Sequence, residues 1–430
     1  MERVRTLVAR LFPGSGAQLH VGGIPIADIA DRYGTPLYVY DAGILDRKWD
    51  LLRGALPPEF AIAYSVKANP ADAIIRHFAA KGADLEVASA GEIKRALAAG
   101  CRAERILFAG PGKSEAELEL ALREGVGEIH VESPLEARRI AALAGGLGMR
   151  ARVALRVNPA TEVQGGAMRM GGKPAPFGVD EESLDEVLDL ILSQASLEFR
   201  GLHLFAGTQI LDHAVLARQY RRGLEIAKRV VSRLGRPLHT LDFGGGLGIP
   251  YFPGERELDR DKLREELQGL MAEIEGDGQV ARTRMLVEPG RYLVGEAGVY
   301  VTRVNDIKVS RGKTFFIVDG GMNHHLAASG NLGQVIKRNF PMAVVNRLAD
   351  SPTRTVDVVG PLCTPLDTLA REATLPEAVV GDLLGIFQSG AYGLTASPAG
   401  FLSHPEPAEV LVRDGRAEVI RARGGWESFR

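Results

Sequence analysis

The chain predicts a (β/α)8 barrel joined to a C-terminal antiparallel β domain that also takes up the N-terminal strands. Three observations carry this. Eight short apolar, β-rich runs recur between about residues 60 and 290. Helix-like segments with apolar residues at three- and four-residue spacing lie between them, an alternation that builds a parallel barrel. After about residue 296 the texture changes to strand-like runs separated by Gly, Pro and Asp turns. At 430 residues, two domains are the default. The expected division is 44–295 for the barrel, with 1–43 and 296–430 forming the β domain.

The first run, 61–66 (AIAYSV), leads into Lys67, fixed by the turn-forming Asn69-Pro70. The second, 84–88 (DLEVA), carries Glu86, and the third, 105–109 (RILFA), precedes GPGKS at 110–114. That pentapeptide ends like a phosphate-binding P-loop, but the first glycine of the pattern falls at Leu107, so it reads as the third barrel loop. The fourth run is 128–132 (EIHVE), and the fifth, 152–157 (RVALRV), holds Arg156. The sixth, 200–205 (RGLHLF), brings His203 and Phe205. The seventh, 239–243 (HTLDF), opens onto Gly244-Gly245-Gly246, and the eighth, 284–288 (RMLVE), onto Pro289-Gly290-Arg291. Periodicity places helices over 135–148, 182–194 and 213–235. Beyond the barrel, VYVTRVNDIKVS, KTFFIVDGG, TRTVDVVGPLC, DLLGIFQSGAY and AEVLVRDGRAEVIRARGG read as strands, and NLGQVIKR hints at a helix. Near the N-terminus QLHVGGIPI and TPLYVYD also read as strands.

Composition narrows the class. Hydrophobic residues make up 45%, charged residues 25%, and the formal net charge is -2. This is an ordinary soluble globular chain with no electrostatic case for nucleic acid or a membrane surface. Cys101 and Cys363 lie far apart, which argues against a disulfide framework and for a reducing compartment. The N-terminal MERVRTLVARLFPG lacks the apolar core and cleavage site of a signal peptide. No apolar run spans a bilayer. The expected location is the cytoplasm.

The reactive residues fall at the C-terminal ends of the barrel strands, where such folds place their chemistry. The amine of Lys67 can condense with an aldehyde to give an imine. Glycines after strands seven and eight let backbone N–H groups approach an anion, and barrels often hold phosphate in those two loops. Together they describe a site for a phosphorylated aldehyde. The adjacent His324 and His325 are not spaced like metal ligands on a helix, and no metal is expected. They read instead as lining the site or packing between subunits.

The motifs YSVKANP, EVASAGE (86–92), GLHLFAGTQ (201–209), DFGGGLG (242–248), EPGR (288–291), GPLC (360–363) and GAYG (390–393) occur in that order. With them the chain resembles the fold-type III pyridoxal-phosphate decarboxylases, the group of diaminopimelate and ornithine decarboxylases. The resemblance implies pyridoxal 5'-phosphate anchored on Lys67, with Glu288 facing the pyridine nitrogen. It implies Gly245, Gly246, Gly290, Arg291 and Tyr392 at the phosphate, and Arg156, His203, Phe205 and Thr208 around the cofactor. Glu86 then stands near Lys67. Cys363 reaches the site from the partner subunit of a homodimer with shared sites and reprotonates the substrate carbon. Arg291, His324, His325 and Asp367 are the implied substrate contacts.

Three departures narrow the substrate. Phe205 replaces the second histidine of the family's HxHxGSQ segment. Ala327 and Asn331 stand where diaminopimelate decarboxylases carry an arginine and a tyrosine for the distal carboxylate, and Thr364 replaces a glutamate after the cysteine. Losing a charge-assisted clamp costs a carboxylate ligand several kcal/mol. The HHLAASGNLGQ and GPLCTPLD runs resemble a branch that includes the butirosin-pathway decarboxylase of carrier-bound glutamate and exosortase-linked decarboxylases. They point to an amino acid with a capped distal end, presented on an acyl carrier protein. The alternatives are a diaminopimelate or ornithine/lysine decarboxylase acting on the free amino acid, an amino-acid racemase, or a non-catalytic cofactor-binding protein. Racemases of related fold pair the ring nitrogen with arginine, unlike Glu288, and a non-catalytic relative has no need of Lys67, Glu288 and Cys363 together.

Overall fold

In the computed structural model, residues 2–160, 168–169, 174–205, 207–278, 280–334 and 336–425 are described. Eight parallel strands close into a barrel: β1 Phe60–Ser65, β2 Asp84–Val87, β3 Ile106–Phe108, β4 Glu128–Val131, β5 Ala151–Asn158, β6 Leu197–Leu204, β7 Thr240–Asp242 and β8 Arg284–Val287. Each pairs with the next, and β8 pairs back onto β1. Every strand lies within three residues of the run that foretold it. Helices Pro134–Gly146, Leu184–Ser193 and His213–Leu234 fall where the periodicity put them. Ser133 caps the first of these by accepting from Glu136 N–H, with Pro134 opening the helix; such a cap contributes about 1 kcal/mol.

The barrel lumen is only partly apolar. Ala63, Leu107 and Leu286 form one packed layer. Glu128, on β4, accepts from Thr240 Oγ1, on β7, at 2.5 Å. His130, on β4, stacks on His203, on β6. These strands are not neighbours, so both contacts cross the lumen. Gly201, on β6, is required by the neighbouring strand β7: a Cβ there would lie 1.9 Å from Thr240 O.

By its contacts the chain divides into Asp50–Ile249 with Arg256–Gly290, the barrel unit, and Met1–Trp49 with Pro250–Glu255 and Arg291–Arg430, the β unit. The β unit is built on a mixed sheet ordered Thr368–Leu375, Arg354–Val359, Lys313–Val318, Gly298–Ser310, Leu37–Asp41, Ala408–Arg413, Arg416–Arg421. Most pairings are antiparallel. Lys313–Val318 with Arg354–Val359, and Leu37–Asp41 with Ala408–Arg413, run parallel.

Three details differ from the sequence reading. QLHVGGIPI gives only two-residue strands, His20–Val21 and Ile24–Pro25, before the helix Ile26–Tyr33. A helix Glu2–Leu11, unforeseen, precedes them. The described part of NLGQVIKR is turn and bend, with Val335 outside the described residues; two glycines, at 330 and 333, adopt positive φ there and break the helical pattern. No helix among the described residues is long and apolar enough to cross a membrane.

Candidate functional site

Lys67 sits in the 3-10 turn Val66–Ala68 that follows β1. Tyr64 donates to Asn69 O at 2.8 Å, and Ala71 N–H donates to Asn69 Oδ1 at 3.1 Å, so the Asn-Pro turn is pinned from both sides. Lys67 Nζ lies 2.8 Å from both carboxylate oxygens of Glu86, at the end of β2. Ser65 donates to the same carboxylate. The Lys67 side chain is still 46% exposed, while Glu86 is buried. An amine held by a buried carboxylate yet open to the rim suits condensation with an aldehyde.

Across the rim, Glu288 follows β8 and is buried. Its Oε2 lies 3.2 Å from His203 Nε2, while its Oε1 is buried and has no hydrogen-bond partner among the described residues. Burial alone would push this carboxyl up. His203, His130 and Lys67 outweigh burial and hold it well below the usual carboxylate range. Burial lowers His203 to about 4, against the pull of Glu288, so its ring is neutral at physiological pH. His203 stacks on His130 at 4.3 Å and 25°, and His130 Nε2 lies 3.3 Å from Glu128 Oε1. Glu288, His203 and His130 bring ligand-type atoms within 4.8 Å of one another. The two imidazole rings stack nearly parallel, and the Nε2 of each is engaged with a carboxylate, Glu288 for His203 and Glu128 for His130.

The loops after β7 and β8 provide a cradle. Gly244 and Gly246 have φ of +69° and +106°, open to glycine at little cost. A Cβ on Gly245 would lie 2.5 Å from Glu288 O, and one on Gly290 would lie 2.9 Å from Ala68 Cβ. The loop after β6 is tied to this cradle. Ile210 N–H donates to Gly246 O at 2.8 Å, Gly248 N–H donates to Ile210 O at 3.0 Å, and Gln209 bonds the backbone of Ile249 at both ends of its amide. Thr208 precedes Gln209 in a two-residue strand paired with Met168–Arg169. Phe205 packs against Gly244, whose added Cβ would meet its ring at 3.1 Å. Arg156 Nη1 donates to Glu132 Oε1 at 2.9 Å, and its guanidinium lies 5.1 Å from the ring centre of Phe177 and 5.9 Å from that of Phe205. Burial raises Glu132, but Arg156 and Lys113 prevail and lower it. Lys113, of GPGKS, is buried and donates to Gly110 O, His130 O and Glu136, a tie within the barrel wall.

In the β unit, Arg291 Nη1 donates to Tyr251 Oη at 3.0 Å, and its guanidinium lies 4.7 Å from the Tyr392 ring centre. Arg291 Nε is buried without a hydrogen-bond partner among the described residues. Tyr392 has φ +54°, uncommon for a tyrosine. Cys363 is exposed. Asp367, expected at the substrate, instead turns inwards: Met322 N–H and Leu362 N–H donate to it at 2.6 and 2.9 Å. It thereby binds the GPLC loop to the GGMN segment, and Gly321 and Gly360 are needed to admit its carboxylate. His324 and His325 are also turned inwards. His325 bonds Ser389 Oγ at 2.9 Å among Tyr38, Tyr300 and Phe340, and burial lowers it to about 3. His324 bonds Asn323 at 3.1 Å and is lowered to about 4 by burial and His404. Both are neutral core residues in this chain. Ala327, Ala328 and Ser329 are buried as well, and Asn331 contacts Ser329 and Lys337 at 2.6 Å each.

The barrel residues fit pyridoxal phosphate. An open amine, a buried carboxylate with one oxygen unsatisfied, and glycines that leave no room for side chains converge on one rim. Sequence reasoning brought Lys67, Glu86, Arg156, His203, Phe205 and Glu288 to that rim. It missed His130 and Asp242. His130 is centred in an apolar run and reads as core filler, and Asp242 reads only as the residue before a glycine turn.

Comparison with known proteins agrees. The pyridoxal-dependent decarboxylase family, through its pyridoxal-binding domain, matches residues 42–295. The chain is 39% identical over 402 residues to the L-glutamyl-[BtrI acyl-carrier protein] decarboxylase of Niallia circulans, covering 93% of this chain and 94% of that one. It is 37% identical to the diaminopimelate decarboxylase of Methanothermobacter thermautotrophicus, covering 94% and 93%. Among solved structures, diaminopimelate decarboxylase of M. jannaschii in complex with L-lysine superimposes with a TM-score of 0.87 at 26% identity, covering 95% and 94%. The Aquifex aeolicus protein AQ1208 does so at 0.86 and 30% identity, covering 99% and 98%.

Proposed function

The chain belongs to the pyridoxal-dependent decarboxylases, and on that premise we propose that it removes the α-carboxylate of an amino acid whose distal end is capped by linkage to a carrier protein. Decarboxylation of an α-amino acid with pyridoxal phosphate is the family's activity. The capped substrate is the finer reading. The observation that carries it is the distal segment: Ala327 and Asn331 stand where a carboxylate clamp is expected, and Asn331 is already engaged by Ser329 and Lys337. The similarity to a decarboxylase of carrier-bound glutamate supports it.

When bound, pyridoxal phosphate supplies a conjugated ring that accepts the electron pair left by departing carbon dioxide. Lys67 anchors the cofactor, and Glu86 orients the amine. Glu288, kept anionic by His203, holds a proton at the ring nitrogen. Phe205 offers an apolar face for stacking, with Arg156 fixed beside it. Gly245, Gly246 and Gly290 take the phosphate through backbone N–H groups. Arg291 and Tyr392 carry the family's remaining anion role, and the unpartnered Nε of Arg291 supports it. Cys363, exposed in the single chain, returns a proton to Cα in the site of a second copy, and Asp367 positions the loop that carries it. A homodimer is the assembly this requires, and we place it in the cytoplasm.

The test is carbon dioxide release from glutamate and diaminopimelate in free, amidated and carrier-linked form. Turnover confined to capped substrates is expected. Efficient turnover of free diaminopimelate overturns the capped reading and favours the free-amino-acid alternative, which the M. thermautotrophicus relative represents.

A further inference from the structure

Asp242 has no role in the reaction described above, yet its carboxyl is fully buried at the end of β7, beside the strand that presents Glu288. Its Oδ1 accepts from Gly244 N–H at 2.8 Å, which holds the first glycine of the cradle. Its Oδ2 is buried with no hydrogen-bond partner among the described residues, as is Glu288 Oε1. Glu288 N–H donates to Gly244 O at 2.8 Å, so both carboxyl-bearing residues are tied to the same glycine, and interaction with the Glu288 side chain raises Asp242. Two carboxylates offer each other only acceptors, so this contact is a repulsion unless one of them carries a proton. A single proton satisfies both orphaned oxygens.

The surroundings decide which group keeps it. Facing Asp242 are Glu288 on β8, Glu128 on β4, the phenol of Tyr220 from helix His213–Leu234 and, in register on β6, the neutral imidazole of His203. None of these is a cation. Burial first, then Glu288 and Glu128, raise Asp242 well above the usual carboxylate range, against the single opposing bond from Gly244. Glu288 instead faces His203, His130 and Lys67 and is lowered.

We propose that Asp242 is a neutral acid in the working enzyme and a positioning residue for the cofactor, donating its proton in a hydrogen bond to the Glu288 carboxylate. This rests on Glu288 being the partner of the ring nitrogen. With His203 on one oxygen and Asp242 also donating, Glu288 is a weak base. It attracts the ring-nitrogen proton without removing it. Asp242 and the glycine cradle are coupled through Gly244, so one side chain sets both the cradle and the charge opposite the ring.

The experiment uses the holoenzyme loaded with 15N-labelled pyridoxal phosphate, whose nitrogen shift reports ring protonation, together with infrared difference spectra of wild type against Asp242→Asn. A protonated-carboxyl C=O band present in wild type and absent from Asp242→Asn is expected. Asparagine keeps an acceptor for Gly244 and a donor for Glu288, so it should hold the ring proton to the same pH as wild type. Asp242→Ala should leave Glu288 a stronger base that draws the proton off the ring, moving the nitrogen shift towards the unprotonated value at a pH where wild type keeps the proton, with kcat reduced on the order of 10²-fold. Absence of the infrared band, or loss of the ring proton in Asp242→Asn, overturns the proposal even if Asp242→Ala fails to fold. Glu288→Gln separates the two claims: if it leaves the nitrogen shift unchanged, the assignment of Glu288 fails, and if it moves the shift while the Asp242 band is missing, only the role of Asp242 fails.

Discussion

His203 Nε2 meets one oxygen of Glu288 at 3.2 Å while the other oxygen of that carboxylate stays buried and unsatisfied. The neutral imidazole, held so by burial, can donate one proton to the carboxylate but cannot cancel its charge. The remaining oxygen has two lone pairs, one for the acid proton proposed for Asp242 and one for a protonated ring nitrogen of the cofactor.

Replacing Glu288 by glutamine keeps the shape and removes the charge. We expect kcat to fall on the order of 10²- to 10³-fold, with a smaller change in KM, because the charge matters most when electrons flow into the ring. Steady-state kinetics with the best substrate from the carbon dioxide assay measure this. An unchanged kcat would remove Glu288 from the reaction.

Lys67→Ala should lose the visible absorbance of bound cofactor and reduce turnover on the order of 10³-fold or more. A variant that keeps the absorbance after dialysis would show that another amine anchors the cofactor. Glu86, deprived of its partner, is left as a buried charge, so a drop in melting temperature should accompany the loss.

Cys363→Ala should slow turnover on the order of 10²-fold while cofactor binding persists. Mixing it with Lys67→Ala tests the shared site. If each site draws on two subunits, half of the randomly mixed dimers contain one intact site of two, and about a quarter of wild-type activity returns. No recovery would place both residues in one subunit's own site.

The buried histidines make stability sensitive to acid. His325 is lowered to about 3 in the fold, whereas an exposed histidine titrates near about 6.5. Between those values the unfolded chain binds the proton and the folded chain does not, so stability rises with pH across the window and is lost on acidification. His203 and His324, lowered to about 4, act in the same direction. Asp242, raised in the fold, acts in the opposite direction, losing stability as pH rises above its unfolded value. A His325→Leu variant isolates one term. Relative to wild type it should lose about 3 kcal/mol less between pH 7 and pH 4.5, read by denaturant titration. Equal losses would mean that His325 protonates freely in the fold.

The barrel was legible because its strands are short β-branched runs bounded by turns and its reactive residues sit at their ends. Lys67 before Asn-Pro and Glu288 before Pro-Gly are local signals. The lumen was not legible. His130 and Asp242 acquire meaning only when β4 faces β6 and β7 across the barrel, a relationship that no spacing along the chain encodes. Asp367 misled for a related reason: an acid after GPLC reads as a ligand until Gly321 and Gly360 are seen to open space for it. The helix Glu2–Leu11 was passed over although Val4, Leu7, Val8 and Leu11 form one apolar stripe, because the segment is short and read only as basic and faintly amphipathic.

The hydrogen bonds that lace Ile210, Gln209 and Gly248 to the turn after β7 have a consequence for how the enzyme is loaded. A nest already fastened at several points loses little entropy when an anion arrives. Newly synthesised protein should therefore capture vitamin B6 phosphate without refolding that corner, and stripping the coenzyme should leave amide exchange at Gly244–Gly248 almost as slow as before.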